Sequence, residues 1–236
     1  MAGAKVIRMF EKFLETNTSV ESPTTEYYDS VDERPYDHPM ILAFAKPKVD
    51  WIFEDLQISN PAILEVGAGN GYFSCHLMQR GALTATDVSA HQLQLNPAQV
   101  KECCSVYDLP YPDNSFDLVI GSNLLHHLDE PERAVSEMTR VTKCHVVISE
   151  PNNTNPILFI GSLVIPAERK AALFSKAYVT DLLCRELTIV SHTYQGGILL
   201  PNRTPGFLFP ISRPNSRSRL SFFQIFICRK SANKRG

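Results

Sequence analysis

The sequence predicts a doubly wound α/β fold: a seven-stranded, mostly parallel sheet with helices on both faces. Three observations carry that expectation. Short apolar runs alternate with helical patterns through the middle of the chain, a glycine turn joins the first central run to a helix, and 236 residues suit one domain with an added lobe. Composition removes several other classes. Hydrophobic residues make up 44% and charged residues 20%, close to the soluble globular average, which excludes wholesale disorder. The prolines and glycines have no period, which excludes a collagen-like chain. A formal net charge of -2 argues against a dedicated nucleic-acid binder, whose footprint is strongly basic. That average hides two local fields, six acids and one base in residues 21–37 and eight bases with no acid in residues 201–236.

The elements follow in order. Val6, Phe10, Phe13 and Leu14 stand at helical spacing, and a polar Ser/Thr/Glu stretch follows them. Asp37-His38-Pro39 reads as a helix start with Asp37 as cap, Pro47 interrupts the pattern, and a second helix would put Trp51, Ile52 and Leu56 inside. Residues 1–58 are therefore read as a helical cap or lid, and residues 59–236 as the core, with a substrate-side insertion near 196–215. The strand candidates are 62–66, 83–86, 100–106, 116–121, 144–149, 187–193 and 221–228. Tyr72 to Gln79 reads as a helix closed by Gly81. Asp129 to Thr142 reads as another, capped by Asp129, with Val135, Met138 and Val141 as its buried stripe. The apolar run Pro156 to Ala167 is too short for the ~20 residues of a membrane span, so burial against the core is expected and no membrane span. The six cysteines lack metal-ligand spacing, and no secretory apolar stretch opens the chain. Free thiols, no metal and a cytoplasmic location are expected.

Ile63-Leu64-Glu65-Val66-Gly67-Ala68-Gly69-Asn70-Gly71 runs from a buried strand into a helix. Glycines at alternate positions allow positive φ and remove Cβ atoms where backbone must approach a ligand, although a tight turn needs glycine with or without one. A dinucleotide fingerprint would need glycine at position 72, which is Tyr72, so a nicotinamide-dependent oxidoreductase is disfavoured. Together with Ala85-Thr86-Asp87, the stretch Asp108 to Asp117, Ser122 to Leu128 and Glu137-Met138-Thr139-Arg140-Val141, this turn resembles the class I S-adenosylmethionine-dependent methyltransferases, in their small-molecule branch. The resemblance covers about residues 60 to 150, with five motifs in the right order, and implies a Rossmann-like sheet.

The resemblance implies S-adenosylmethionine as cofactor, bound by Glu65, Gly67, Ala68, Gly69, Gly71, Asp87, Val106, Tyr107 and Asn123. Glu65 would hold the amino-acid end of the donor, or else cap the loop as a buried acid. Asp87, 16 residues after Gly71, would accept both ribose hydroxyl protons, or else share a helix start with Ser89. The family's acid at the end of the third strand is missing, since Val106 or Ser105 occupies that place. Adenine would then rest on the backbone of Val106 and Tyr107, with the Tyr107 ring stacked on it.

Methyl transfer is an in-line displacement that chiefly needs a nucleophile held ~3 Å from the methyl group. A base helps only where the acceptor is a hydroxyl or a protonated amine. His127 and Glu150, which follow the fourth and fifth strands, are the catalytic candidates; packing or loop support is the competing role for His127. The Asn-rich turn after Glu150 reads equally as a polar acceptor patch and as a stabilised turn. Tyr27 and Tyr28 stand as a possible lid, Arg203, Arg213, Arg217 and Arg219 as contacts for an anionic acceptor or a solvated loop, and Arg229, Lys230, Lys234 and Arg235 as a solubilising tail. The expected partner is a small-molecule methyl acceptor and not nucleic acid; oligomeric state is left open. A catalytically silent donor-binding partner and a methyltransferase for macromolecules are the alternatives.

Overall fold

The computed structural model describes residues 34–197, 206–208 and 215–231. The expected N-terminal helix, Tyr27 and Tyr28, Arg203, Arg213, Lys234 and Arg235 lie outside those residues, as does most of the 196–215 insertion. The described elements run α1 (Pro39–Leu56), β1 (Ala62–Val66), α2 (Ser74–Leu77), β2 (Ala82–Asp87), α3 (Ala90–Leu95), β3 (Val100–Cys103), β4 (Phe116–Ser122), α4 (Pro131–Val141), β5 (Thr142–Pro151), α5 (Pro156–Val164), α6 (Lys176–Cys184), β6 (Leu187–Gln195) and β7 (Phe223–Lys230). Two 3₁₀ stretches, Leu125–His127 and Pro166–Leu173, matter for the site.

The strands form one seven-stranded sheet in the order β3-β2-β1-β4-β5-β7-β6, Rossmann-like in its doubly wound arrangement. Only β7 runs against its neighbours; the β1–β2, β1–β4, β2–β3 and β4–β5 pairs are parallel. Consecutive residues point to opposite faces, and in the central strands β1 and β4 both faces are largely buried, which explains their unbroken apolar runs. Ile63, Leu118 and Val147 join Phe44, Ile52 and Phe73 on one side, whereas Leu64, Val119 and Val146 join Val135, Met138 and Leu183 on the other. The order reverses between β1 and β4, so the groove for a ligand opens beyond the carboxyl ends of those two strands.

Several local expectations need correction. Helix α1 is continuous through Pro47. Proline there removes one helical hydrogen bond, but Ile41, Phe44, Ala45, Val49 and Ile52 are buried along that helix, and this packing holds the two halves in line. Its cap is His38, whose Nδ1 accepts from the Met40 amide, not Asp37. Glu130, not Asp129, occupies the cap position of α4, and Asp129 pairs with Lys170 instead. The third strand stops at Cys103, because the chain leaves the sheet there to form the cavity wall. The expectation that residues 157–165 are buried holds for one face of α5 only. Leu158 and Ser162 are buried, while Ile157, Ile160 and Val164 are exposed. Arg229 and Lys230 belong to β7 rather than to a tail, and Lys230 Nζ donates to Asn114 Oδ1 and to the carbonyls of Arg140 and Thr142. All six cysteines are free thiols. No helix among the described residues is long and apolar enough to cross a membrane.

Candidate active site

The glycine turn leaves β1 with Gly67, Gly69 and Gly71 all at positive φ (65°, 49° and 95°). Asp87, at the end of β2, closes it: Oδ2 accepts from the Gly69 amide at 2.8 Å and Oδ1 from the Ser89 amide at 2.8 Å. The two roles weighed for Asp87 therefore coexist, since Ser89 itself caps α3 by accepting from the Gln92 amide. Asn96 pins the turn from outside, donating to the Gly69 carbonyl and to Ser74 Oγ. A Cβ at Gly71 would stand 2.3 Å from Pro97 Cδ, whereas a Cβ at Gly69 would meet nothing within 4 Å. Gly71 thus makes room for packing, and Gly69 faces open space.

That space is a cavity of about 510 Å³, within the range of small-molecule sites. Of the expected cofactor residues, Glu65, Gly67, Ala68, Gly69, Asp87, Val106, Tyr107 and Asn123 line it together, while Gly71 does not reach it. Glu65 is buried, and its Oε2 accepts from Ser74 Oγ at 2.6 Å. Burial, reinforced by the charge of Asp87, raises its carboxyl to about 8. Asn123 adopts φ +53°, its amide donates to the Ser149 carbonyl, and its buried Oδ1 has no hydrogen-bond partner among the described residues. Tyr107 is held by its hydroxyl, which accepts from the Glu130 amide, and by the Arg133 guanidinium 4.8 Å from its ring centre.

The D-L-P loop is anchored by α4. Glu137 Oε2 accepts from the Leu109 amide, and the Arg140 guanidinium donates to the carbonyls of Leu109 and Tyr111 and to Asp113. The salt bridge to Arg140, followed by the Leu109 amide bond, outweighs burial and lowers the Glu137 carboxyl. Sequence reading placed these residues in a motif without giving them this task.

Beyond β4, the 3₁₀ turn Leu125–His127 brings both histidine rings to the cavity wall, their centres 3.8 Å apart. The expectation that Glu150 faces an acceptor needs correction. Glu150 is fully buried and absent from the cavity wall; Oε1 accepts from the amides of Leu124 and Leu125, and Oε2 meets His126 Nδ1 at 2.6 Å. It clamps the turn because the two amides at its start need an acceptor and β5 ends directly beside them. His126 Nε2 lies 3.4 Å from Glu168 Oε2. Burial opposes the charge on His126, but the two glutamates outweigh it and push the imidazole up to about 9. Glu168 was invisible in the sequence, which holds 40 residues between it and His127. The Asn turn resolves as structure. Asn152 donates to the carbonyls of Arg219 and Ser221, Asn153 to that of Ala172, and Asn155 caps α5.

The far wall consists of Ile157, Leu158, Gly161, Ile165, Phe222 and Phe223. Arg217 and Arg219 are exposed and do not line the cavity.

A glycine cradle after β1, a carboxylate at the end of β2 and a sheet of this order with its seventh strand reversed define the class I S-adenosylmethionine-dependent methyltransferase fold. Residues 64–148 match the family model for a methyltransferase domain. S-Adenosylmethionine is the cofactor of the family, and the cradle at Gly69, the buried Glu65 and the Asn123 Oδ1 fit it. The mitochondrial arginine hydroxylase NDUFAF5 of Rattus norvegicus is 32% identical over 95 residues, covering 38% of this chain and 28% of that protein. Phosphatidylethanolamine N-methyltransferase of Cereibacter sphaeroides is 33% identical over 91 residues, covering 34% of this chain and 45% of that protein. The matches thus span less than half the length of either relative. Among solved structures, an S-adenosylmethionine-dependent methyltransferase of Thermotoga maritima superposes with a TM-score of 0.63 at 15% identity, covering 81% of this chain and 92% of that one.

Proposed function

We propose that this protein transfers the methyl group of S-adenosylmethionine to a small-molecule acceptor. The observation that carries the reading is Gly69. Its left-handed backbone leaves open the space a side chain would fill, on a cavity whose rim also holds Glu65 and Asp87. When bound, the sulfonium supplies an electrophilic methyl group. Glu65, once ionised, pairs with the donor's ammonium group, and Asp87 accepts from the ribose hydroxyls. Val106 and Tyr107 flank the base, and Asn123 offers its Oδ1 to the donor. His127 accepts the acceptor's proton where the acceptor carries one. Glu150 contributes by positioning the histidine turn, without touching substrate. The apolar far wall favours an acceptor with hydrocarbon character and keeps water from the reacting atoms. The relative that methylates phosphatidylethanolamine supports this substrate class.

The test is calorimetry with S-adenosylhomocysteine followed by an acceptor screen with labelled donor. The expected result is one bound nucleoside per chain and a labelled small product; a chain that binds neither donor nor product overturns the reading. The match to an arginine hydroxylase favours a second reading, hydroxylation in the same cavity, with dioxygen as oxidant and an external two-electron donor reducing its second oxygen atom to water. Product mass separates the two, since methylation adds CH₂ and hydroxylation adds one oxygen.

A further inference from the structure

We propose that His126, His127 and Glu168 form a binding site for one divalent first-row transition ion on the cavity wall. One ligand atom from each residue lies within 4.8 Å of the other two, the three residues all line the cavity, and no other such group occurs among the described residues. The His126–Glu168 pair already has the spacing of two donors on one ion, and His127 closes on it by a side-chain shift. Two donors bound at about 2.1 Å and at a tetrahedral angle stand about 3.4 Å apart, and His126 Nε2 and Glu168 Oε2 are separated by 3.4 Å. Consecutive residues of a 3₁₀ turn ordinarily point a third of a turn apart. Here both rings converge instead, with centres 3.8 Å apart and planes tilted by 45°.

Glu150 fixes the orientation of the His126 ring. A histidine that binds a metal through one nitrogen characteristically donates its other N–H to a carboxylate, which fixes the tautomer and the ring orientation. Glu150, fully buried, accepts in this way from His126 Nδ1 at 2.6 Å, and the same carboxylate accepts from the amides of Leu124 and Leu125 at the start of the turn. Nε2 is thereby aimed at Glu168, 3.4 Å away. Two imidazoles and one carboxylate suit zinc and its neighbours and suit magnesium poorly, since magnesium prefers an all-oxygen octahedron. Three protein ligands leave a coordination position facing the cavity. On the proposed methyl-transfer reading, the acceptor's hydroxyl, thiol or carbonyl would occupy it; the ion would then acidify a hydroxyl or thiol in place of base catalysis by His127, and the proton released would pass to solvent.

The test uses the purified full chain, stripped with a chelator and titrated with Zn²⁺, Co²⁺ and Mg²⁺ by calorimetry, with the visible spectrum of the Co²⁺ form as a second readout. One Zn²⁺ or Co²⁺ per chain is expected, with d–d bands of nitrogen and oxygen ligation and little Mg²⁺ binding. Glu168→Gln and His127→Gln should each weaken Zn²⁺ at least tenfold while thermal unfolding still shows a folded chain. Glu168 is partly exposed, so its replacement keeps the fold even where a histidine variant does not. Absence of stoichiometric binding, equal Mg²⁺ binding, or unchanged Zn²⁺ affinity in Glu168→Gln overturns the site. A chain that binds S-adenosylhomocysteine but no ion refutes the ion site alone; failure of the nucleoside leaves the ion titration to be judged separately.

Discussion

Glu65 and Lys48 show what burial does to single groups. Glu65, raised to about 8 from 4.5, is protonated at neutral pH in the free protein. The native chain therefore holds a proton that the unfolded chain gives up across that interval, and this group's contribution to stability falls as pH rises from 4.5 to 8. The donor's ammonium favours the carboxylate, so nucleoside binding expels the proton. Affinity for S-adenosylhomocysteine should thus climb between pH 6 and pH 8, by at most about tenfold per pH unit, then level off. Calorimetry across that range checks it, and Glu65→Gln should bind more weakly with a flat profile. Lys48 is fully buried, with Nζ lacking a hydrogen-bond partner among the described residues and lying 3.4 Å from the ring centres of both Phe44 and Phe223. The ring faces favour the ammonium, yet the loss of hydration is larger and holds the amine well below 10.5. The unfolded chain then binds the extra proton, so stability rises with pH up to about 10.5. Lys48→Met should stabilise the fold by about 1 kcal/mol or more at neutral pH and remove that dependence, as read by denaturant unfolding.

At the scale of elements, the loop from Leu109 to Asp113 depends on one side chain of α4. Arg140→Ala removes bonds to the Leu109 and Tyr111 carbonyls and to Asp113, together with the Glu137 ion pair. A loss of about 1–2 kcal/mol in stability is expected, with a several-fold weaker grip on S-adenosylhomocysteine, because this loop follows Tyr107 directly. Chemical unfolding and calorimetry measure both. The same elements show what could be read from residues alone. The strands stood out because a sheet covered on both faces needs unbroken apolar runs, and β1 was bounded correctly at both ends. The buried stripe of α4 was equally plain. The caps were misread because Asp37 and Asp129 are good cap types, and only the path of the chain decides which residue comes first. Pro47 misled because tertiary packing overrode its local cost. In the candidate site, Glu65, Gly69 and Asp87, which the family resemblance implies, do line one cavity. Ser74 and Asn96 support them across 9 and 27 residues without a pattern, and Glu150 was found at the right strand end but with the wrong partner.

For the whole molecule, sheet order is the governing fact. β7 sits between β5 and β6 and is the sole link between them, with antiparallel registers on both sides. The basic stretch therefore cannot be tested for macromolecule binding by deleting it. A chain cut before Phe223 should lose cooperative unfolding and precipitate, whereas Arg217→Ala with Arg219→Ala should fold normally, since both side chains are exposed. Calorimetric scanning of the two variants distinguishes these outcomes.

The reversed strand also bears on how the protein is made. During synthesis, β5 emerges with one flank bare, and β6 follows with no neighbour at all until residue 230 has left the ribosome. For that interval the nascent polypeptide carries two unsatisfied ladders of amides and carbonyls, which are ready templates for self-association. Holdase chaperones that shield extended apolar segments are the natural guardians of this window, and the yield of soluble protein should track their supply.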